Sequence, residues 1–396
     1  MRIVLIADVF PPLRSSGAVQ LRDLSREFAR QGHEIVVLVA APEIDIPCKV
    51  DEQEGFFIVR LKSPKTKDVG YIRRTIGELL MPFMMLWNFR KSSFVDMRWD
   101  GVVWYSPSIF LGPIAKAIKT ASACRSYLIV RDIFPEWAAD MGVLRRGIAY
   151  RFFKAIASYQ YSVADVIGIQ SSGNRIYFTD WVKESGGRLE VLPNWLASAP
   201  ENICSIVVSS TRLAGRRIFV YAGNMGVAQG VQVLLGLAEY LKDRTDIGFL
   251  FVGRGSDIRR LEKYAENCYL DNVVFFDEID PDEIPALYAQ CTFGLVALDS
   301  RHKTHNIPGK FLSYMQAGLP VLAAINPGND LVELIEQERV GRVSTGTSIE
   351  FLAEQALRLV DDISSDGDMR ERCRRLGERM FSPKAAVQQI VSALKS

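Results

Sequence analysis

Short runs of consecutive apolar residues alternate along the chain with longer stretches whose apolar residues recur every three or four positions. Residues 2–7, RIVLIA, are continuously apolar and too short for a typical helix, which predicts a buried parallel strand. The next stretch, 17–31, places its leucines and Phe28 on one helical face. Because residues 34–40 form another apolar run, this segment predicts a strand–helix–strand unit.

The same alternation continues to the end of the chain with one interruption. It predicts further strands at Val102–Tyr105, Tyr127–Val130, Val166–Ile169, Leu189–Leu192, Arg217–Ala222, Ile247–Val252, Val273–Asp277, Phe293–Leu298 and Pro320–Ala324. The pattern lapses over residues 192–215, where prolines and a serine/threonine cluster indicate a linker. Two such series predict an α/β protein with two Rossmann-like, doubly wound domains, 1–200 and 201–382. The final helix, 383–396, is predicted to pack back on the first domain, and ligands are expected in a deep cleft between the domains.

Composition and charge narrow the class of protein without indicating its activity. The chain is 48% apolar and 24% charged, which is typical of globular domains and excludes a collagen-like or disordered chain. A net charge of +2 provides no argument for a nucleic-acid partner. Six cysteines without a CxxC pair and only three histidines argue against a zinc site and are typical of a reduced, cytosolic protein. No apolar run reaches about 18 residues, so no bilayer-spanning segment is predicted.

One segment departs from the alternation. Residues 71–98 contain a dense apolar block at 76–89 that is rich in Met, Phe and Trp, contains Pro82 and is flanked by arginine and lysine. Such a block suits a helix lying on a membrane surface, but it equally suits a helix packed on the first sheet. The sequence leaves these two alternatives open.

Several predicted strands end at turns that suit an anion. The loop 8–17, DVFPPLRSSG, places Ser16 and Gly17 at the start of a helix, where backbone N–H groups are free. An ordinary loop with a serine N-cap is the simpler alternative there. The turns 223–230, GNMGVAQG, and 252–255, VGRG, let the backbone approach a ligand, and Arg254 suits a phosphate, although a surface salt bridge is also consistent with it.

The turn that follows the strand at 293–298 carries the strongest indication of a ligand. Residues 299–318, DSRHKTHNIPGKFLSYMQAG, open a helix at Pro308 and Gly309 and place Lys310 in its first turn, with Phe311, Met315 and Ala317 on its apolar face. A cation is unfavourable at a helix N-terminus unless an anion binds there. We therefore predict a diphosphate site at Lys310 rather than a solvated basic loop.

Residues 131–136, RDIFPE, follow another predicted strand. The carboxylates of Asp132 and Glu136 are placed to bind hydroxyl groups or accept a proton. An acidic pair near a helix start also occurs as simple capping, so both interpretations remain open.

Together these motifs resemble the GT-B glycosyltransferases, in particular the retaining group called family 4. The resemblance rests on FPP at 10–12, QGHEI at 31–35, RDIFPE at 131–136, VLPNW at 191–195, YAGNMGVAQG at 221–230, FVGRG at 251–255 and IPGKFLSYMQAGLPVLA at 307–323. The chain looks most like the bacterial O-antigen and capsule transferases that use N-acetyl-L-fucosamine.

The resemblance implies a nucleotide-diphosphate sugar on the second domain and an acceptor on the first. It implies catalytic roles for Asp132, Arg254 and Lys310, and substrate-binding roles for Ser16, Gly17, Arg131, Glu136, Asn224, Gly226, Ile279, His305, Pro308, Gly309, Phe311 and Ser313. Two glutamates that many members use for the donor are replaced here by His305 and Ser313. The family's arginine and lysine near the glycine turn are replaced by Asn224 and Gln229.

The function expected from this resemblance is retaining transfer of a sugar from a UDP-sugar to a polyprenyl-diphosphate-linked saccharide. Neither a cofactor nor a metal is expected, because fixed cations would stabilise the leaving diphosphate and no acidic DxD-type cluster is present. The expected location is the cytoplasmic face of the cell membrane, to which the protein would bind peripherally. A UDP-sugar epimerase of the same fold and a non-catalytic UDP-sugar-binding protein remain the alternatives.

Overall fold

The computed structural model describes residues 1–13, 15–197, 203–226, 229–298 and 307–396. The chain divides into two compact units: unit 1 contains Met1–Trp195 and Pro383–Ser396, and unit 2 contains Leu196–Ser382. The predicted boundary after residue 200 lies five residues beyond this division. Within the described ranges, no helix is both long and apolar enough to cross a membrane.

Unit 1 is built on a sheet of eight strands. They are β1 Arg2–Ala7, β2 Glu34–Ala41, β3 Cys48–Gln53, β4 Phe56–Lys62, β5 Gly101–Ser106, β6 Arg125–Val130, β7 Val166–Ile169 and β8 Arg188–Val191. Their order is β3-β4-β2-β1-β5-β6-β7-β8, and every neighbouring pair is parallel except β3 with β4. The carboxyl ends of the parallel strands therefore meet at one edge of this sheet.

Helices cover both faces of the unit 1 sheet. They are α1 Ser16–Arg30, α2 Tyr71–Phe89, α3 Gly112–Ser122, α4 Glu136–Asp140, α5 Ile148–Val163, α6 Thr179–Ser185 and the C-terminal α14 Pro383–Lys395. One core lies beneath α2, α3 and α5, and the other lies beneath α1 and α14. A Cβ atom at Gly101 of β5 would lie 2.7 Å from Leu394, so α14 packs closely on this sheet.

Unit 2 has a six-stranded sheet in which every strand pair is parallel. Its strands are β9 Arg217–Ala222, β10 Ile247–Val252, β11 Val273–Phe276, β12 Phe293–Ala297, β13 Val321–Ala324 and β14 Gly341–Ser344, in the order β11-β10-β9-β12-β13-β14. Its helices are α7 Gln232–Tyr240, α8 Ile258–Asn267, α9 Ile284–Ala289, α10 Gly309–Ala317, α11 Asp330–Glu338, α12 Ile349–Ser365 and α13 Met369–Phe381. Apolar cores fill both faces.

The prediction of two Rossmann-like α/β domains is confirmed, and each predicted strand is present to within two residues at either end. Three strands were not predicted: β3, β4 and β14. The predicted apolar face of α10 was incomplete, because Leu312 and Tyr314 are buried beside Phe311 and Met315, whereas Ala317 is only half-buried.

Candidate functional site in two α/β units

Two glycine turns lie side by side at the carboxyl edge of the unit 2 sheet. The amide of Gly223, after β9, donates to the Val252 carbonyl over 2.9 Å, and the Met225 amide donates to the Arg254 carbonyl over 2.7 Å. Gly253 has φ +145°, and a Cβ atom on it would lie 2.0 Å from the Gly223 oxygen. Glycine is therefore required here, because the two turns pack backbone against backbone.

Lys310 is the second residue of α10 and lies beside these turns. Its Nζ is 3.5 Å from Oε1 of Gln229 and 4.6 Å from the centre of the Tyr221 ring. Among the described residues it has no carboxylate partner, and the first turn of α10 contains no acidic residue. Burial lowers the pKa of Lys310 from 10.5 to about 8. An ammonium group held there, with no carboxylate partner in the part of the chain that the structure describes, is suited to bind an anion.

A cavity of about 320 Å³ adjoins Lys310. Its lining contains three predicted site residues, Lys310, Ile279 and Ser313, together with Ala222, Gly223, Val252, Gly253, Glu278, Pro281, Ile284 and Tyr288. It thus combines apolar walls, exposed backbone at the glycine turns and a cation at one side. These are the properties of a site for a small anionic ligand with an apolar portion.

Arg254 forms an ion pair with Glu278 of the same cavity, 3.2 Å from Nε to a carboxylate oxygen. The two side chains are 79% and 52% exposed, so this surface pair contributes little to stability and leaves Arg254 able to bind a ligand. The surface salt bridge that the sequence left open as an alternative for Arg254 is therefore present. Glu278 was not predicted as a site residue, although its position after β11 is the same kind of strand end as that of Arg254.

Of the other predicted site residues of unit 2, some lie on the turn after β9 or at the start of α10, and one lies in the core. Asn224 is exposed and Gly226 half-buried on the turn after β9, and Pro308 and Gly309 form the start of α10. Phe311 is buried against Phe381, and its amide donates to the Pro308 carbonyl over 3.0 Å. The structure therefore places Phe311 in the core rather than at the cavity. His305 lies outside the described residues.

In unit 1, the predicted serine and glycine lie at the start of α1. Ser15 is the N-cap, with its Oγ accepting from the Ala18 amide over 3.3 Å, and Ser16 is exposed. A Cβ atom at Gly17 would lie 3.2 Å from the Tyr105 hydroxyl. Tyr105 belongs to β5, so Gly17 brings the start of α1 close to the carboxyl edge of the sheet.

The segment 131–136 separates into structural and accessible residues. Arg131 is buried, donates to the Leu192 carbonyl over 2.7 Å and lies 4.7 Å from the Trp195 ring. Glu136 is also buried and forms an ion pair with Lys154. These contacts give both residues a role in holding unit 1 together and leave them little surface for a substrate.

Asp132 is the accessible carboxylate of this segment. Desolvation by the surrounding protein raises its pKa, against the lowering effect of the neighbouring Arg131 charge. Its position after β6 puts it at the same sheet edge as Tyr105. Of the two predicted carboxylates, Asp132 is thus the one that can contact a ligand.

Helix α2 combines both alternatives considered for the apolar segment. One face is buried against unit 1, including Met81, Met85 and Phe89. The opposite face is an exposed apolar stripe at helical spacing, consisting of Ile72, Ile76, Leu80, Phe83 and Trp87, each 50–81% exposed. Exposed basic residues accompany it at both ends: Lys65, Lys67, Arg73, Arg90 and Lys91. An apolar stripe with basic flanks is typical of interfacial helices.

Within the described ranges, no group of three or more His, Cys, Asp or Glu side chains is close enough to hold a metal ion. The expectation that no metal is needed stays a prediction.

Comparison with known proteins places this architecture. Residues 216–362, nearly all of unit 2, match the family model described as "Glycosyl transferases group 1". "Probable glycosyltransferase WbjE" of Pseudomonas aeruginosa is 27% identical over 76% of this chain and 73% of its own length. "Putative colanic acid biosynthesis glycosyl transferase WcaI" of Escherichia coli is 24% identical over 78% of this chain and 79% of its own. The crystal structure of Anabaena HepE with UDP superposes with a TM-score of 0.68 at 15% identity over the whole of both chains.

The chain has two units, each built on a sheet of mainly parallel strands, and solved glycosyltransferase structures match it over its full length. This architecture is the GT-B fold. The family match and the relatives make the chain a glycosyltransferase, with a group 1 domain in unit 2. The predictions of the fold and of a transferase activity are confirmed.

Proposed function

We propose that this glycosyltransferase moves a sugar from a UDP-sugar to a polyprenyl-diphosphate-linked saccharide, with retention of anomeric configuration, in the assembly of an O-antigen or related surface polysaccharide. The observation that carries the proposal is the ammonium of Lys310, which has no carboxylate partner among the described residues and lies beside the two glycine turns. Support for the pathway comes from WcaI, whose name assigns it to colanic acid biosynthesis. Support for the donor comes from HepE, which was crystallised with UDP and with UDP-glucose.

The donor would lie in the cavity beside Lys310. Its diphosphate would contact Lys310 and Arg254, and the backbone at Gly223 and Gly253 allows the phosphates to approach closely. The uracil would lie along the apolar wall near Ile279. For the sugar itself we propose an N-acetylated aminodeoxyhexose such as N-acetyl-L-fucosamine, on the sequence resemblance described above.

The arrangement of charges suits a reaction in which the leaving group carries most of the new charge. As the bond between the sugar and the diphosphate breaks, negative charge develops on the phosphate oxygens, and Lys310 and Arg254 would stabilise it. Among the described residues that line the cavity, Glu278 is the one carboxylate, and it is paired with Arg254, so it is not arranged as a free nucleophile. We therefore propose that the acceptor attacks from the face that the diphosphate leaves and that the departing phosphate takes the hydroxyl proton.

The acceptor would bind unit 1, with its lipid in the bilayer. The exposed stripe of α2 and its basic flanks would rest on anionic lipid at the cytoplasmic face of the membrane. Peripheral attachment of this kind would bring the enzyme to an acceptor that cannot leave the membrane. Asp132 would face the acceptor or the transferred sugar.

Incubating the purified protein with a panel of UDP-sugars tests the proposal. We expect UDP release with at least one UDP-sugar, and we expect it to require a polyprenyl-diphosphate saccharide. Nuclear magnetic resonance of the product should show that the anomeric configuration of the donor is kept. Epimerised UDP-sugar without UDP release would instead indicate an epimerase. Binding without any product would indicate a UDP-sugar-binding protein.

The affinity for UDP is expected to fall at alkaline pH. A bound diphosphate stabilises the charged form of Lys310, whose pKa in the free protein is about 8, so binding takes up a proton once the pH exceeds that value. The dissociation constant should therefore change little below about pH 8 and rise as much as about tenfold per pH unit above it. Calorimetric titration of UDP at about pH 7 and about pH 9, in buffers of different ionisation enthalpy, measures both the affinity and the proton uptake.

The control for this titration is Lys310→Met, which should bind UDP more weakly and lose the pH dependence in this range. Equal affinities of the wild type at the two pH values, with no proton uptake, would contradict the assignment of Lys310 to the diphosphate.

A further inference from the structure

Asp8, the residue that follows β1, has a carboxylate oxygen without a hydrogen-bond partner. Its Oδ1 atom is buried and accepts no hydrogen bond from any described residue. β1 lies between β2 and β5 in the sheet, so Asp8 occupies the middle of the carboxyl edge of unit 1. A buried polar atom in this state costs folding free energy, and here the atom belongs to a carboxylate that accepts no hydrogen bond from a described side chain. The cost is understandable where a ligand supplies the missing hydrogen bond.

The groups that face Asp8 define what the ligand has to provide. From α2 and the segment before it, the charges of Lys67, Arg74 and Glu78 act on Asp8, and burial is the main reason that its pKa is raised. From the sheet, the charges of Arg131, Asp132 and Asp8 all act on Tyr105. Cations and carboxylates are therefore both present along this part of the sheet edge.

This balance favours an uncharged hydrogen-bond donor as the ligand. The carboxylates of Asp8 and Glu78 would repel an anion, and a cationic ligand would be repelled by Lys67 and Arg74. A sugar hydroxyl donates a hydrogen bond without adding charge, and a carboxylate is the strongest acceptor that a protein offers it.

We propose that Asp8, whose side chain is half-buried, is an acceptor-binding residue and that its carboxylate turns to accept a hydrogen bond from a hydroxyl of the acceptor saccharide in unit 1. The inference rests on the proposed function, to which it adds the residue that orients the acceptor. Asp132 follows β6, which is separated from β1 by β5 in the sheet, and Oδ1 of Asp8 has no hydrogen-bond partner among the described residues.

The test compares Asp8→Ala and Asp8→Asn with the wild type and with Asp45→Ala, whose carboxylate is fully exposed in unit 1. The assay uses a UDP-sugar and a polyprenyl-diphosphate saccharide that give acceptor-dependent UDP release with the wild type. Losing a hydrogen bond to a charged group is expected to lower kcat/KM for the acceptor about 10- to 100-fold in Asp8→Ala. The loss should lie mainly in KM for the acceptor, with UDP affinity unchanged.

Thermal unfolding of the same variants separates binding from structure. Because the orphaned carboxylate contributes nothing favourable to the fold, Asp8→Asn should unfold at the wild-type temperature or above. A lower unfolding temperature of Asp8→Asn, or acceptor kinetics in Asp8→Ala like those of Asp45→Ala, would overturn the inference alone. A wild type that releases no UDP in response to any acceptor would overturn the proposed function and this inference with it.

Discussion

Replacing Lys310 by methionine is expected to lower sugar transfer about 100- to 1,000-fold, the range found when one group that stabilises developing negative charge is removed. Methionine keeps the length of the side chain and its packing over Tyr221, but it has no charge to place beside the leaving diphosphate. The measurement is the steady-state rate of UDP release in the presence of acceptor. The loss should appear in kcat as well as in the affinity for the donor, because the charge on the diphosphate grows as the bond breaks.

The same substitution should leave the folded protein at least as stable as the wild type. The pKa of Lys310 is lowered from 10.5 in the unfolded chain to about 8, so the native state below about pH 8 carries a desolvated ammonium that opposes folding. This cost disappears as the pH rises from about 8 to about 10.5, and methionine removes it at every pH. Lys242→Ala, at an exposed site in unit 2, provides the control for both rate and stability. Transfer by Lys310→Met at the wild-type rate would sink the assignment of the donor site.

Replacing Phe83 and Trp87 of α2 by serine is expected to weaken binding to anionic liposomes about 10- to 100-fold. The reason is that two large apolar side chains no longer enter the membrane interface. Both side chains are at least 60% exposed, so the substitution removes apolar surface from the stripe without opening a cavity in the core. Flotation of the purified protein with vesicles containing anionic phospholipid measures the bound fraction. Added salt should also lower the binding of the wild type, because the basic flanks contribute through charge.

The matched control is the double substitution of Tyr240 and Tyr269 by serine, which removes two exposed aromatic side chains from unit 2. It should bind vesicles like the wild type. Transfer by the α2 variant should fall for an acceptor embedded in vesicles and stay unchanged for a short-chain acceptor in solution. Undiminished flotation of the α2 variant would rule out this helix as the attachment site and would leave its exposed stripe without an assigned partner.

The central strands of both sheets could be predicted from the sequence, and the missed strands show why others could not. After an initial arginine, β1 and β9 are continuous apolar runs, because a strand with neighbours on both sides and helices on both faces is buried along the rest of its length. β3 reads CKVDEQ and pairs only with β4, so its polar residues face solvent and resemble a loop. β14 has four residues at the opposite edge of the other sheet, too few to show a period.

The sequence predicted the site residues of unit 2 better than those of unit 1. Lys310 was found because a cation in the first turn of a helix is unfavourable without an anion, and Ile279 was implied by the family resemblance; both line the cavity. The role of Glu136 could not be read in the same way, since its partner Lys154 lies 18 residues along the chain on another helix. The family resemblance likewise implied that Arg131 binds substrate. In the structure its side chain instead donates a hydrogen bond to the Leu192 carbonyl, 61 residues away.

The sequence by itself determined the alternation of strands and helices, the presence of two α/β domains and the set of residues at their strand ends. These properties follow from local periodicity and from turn residues, which act over a few positions along the chain. Only the tertiary structure decided that, among the described residues, Lys310 has no carboxylate partner and Oδ1 of Asp8 has no donor, and that α2 buries one apolar face and exposes the other. Charge compensation and desolvation depend on groups brought together from distant parts of the chain, and no local pattern records them.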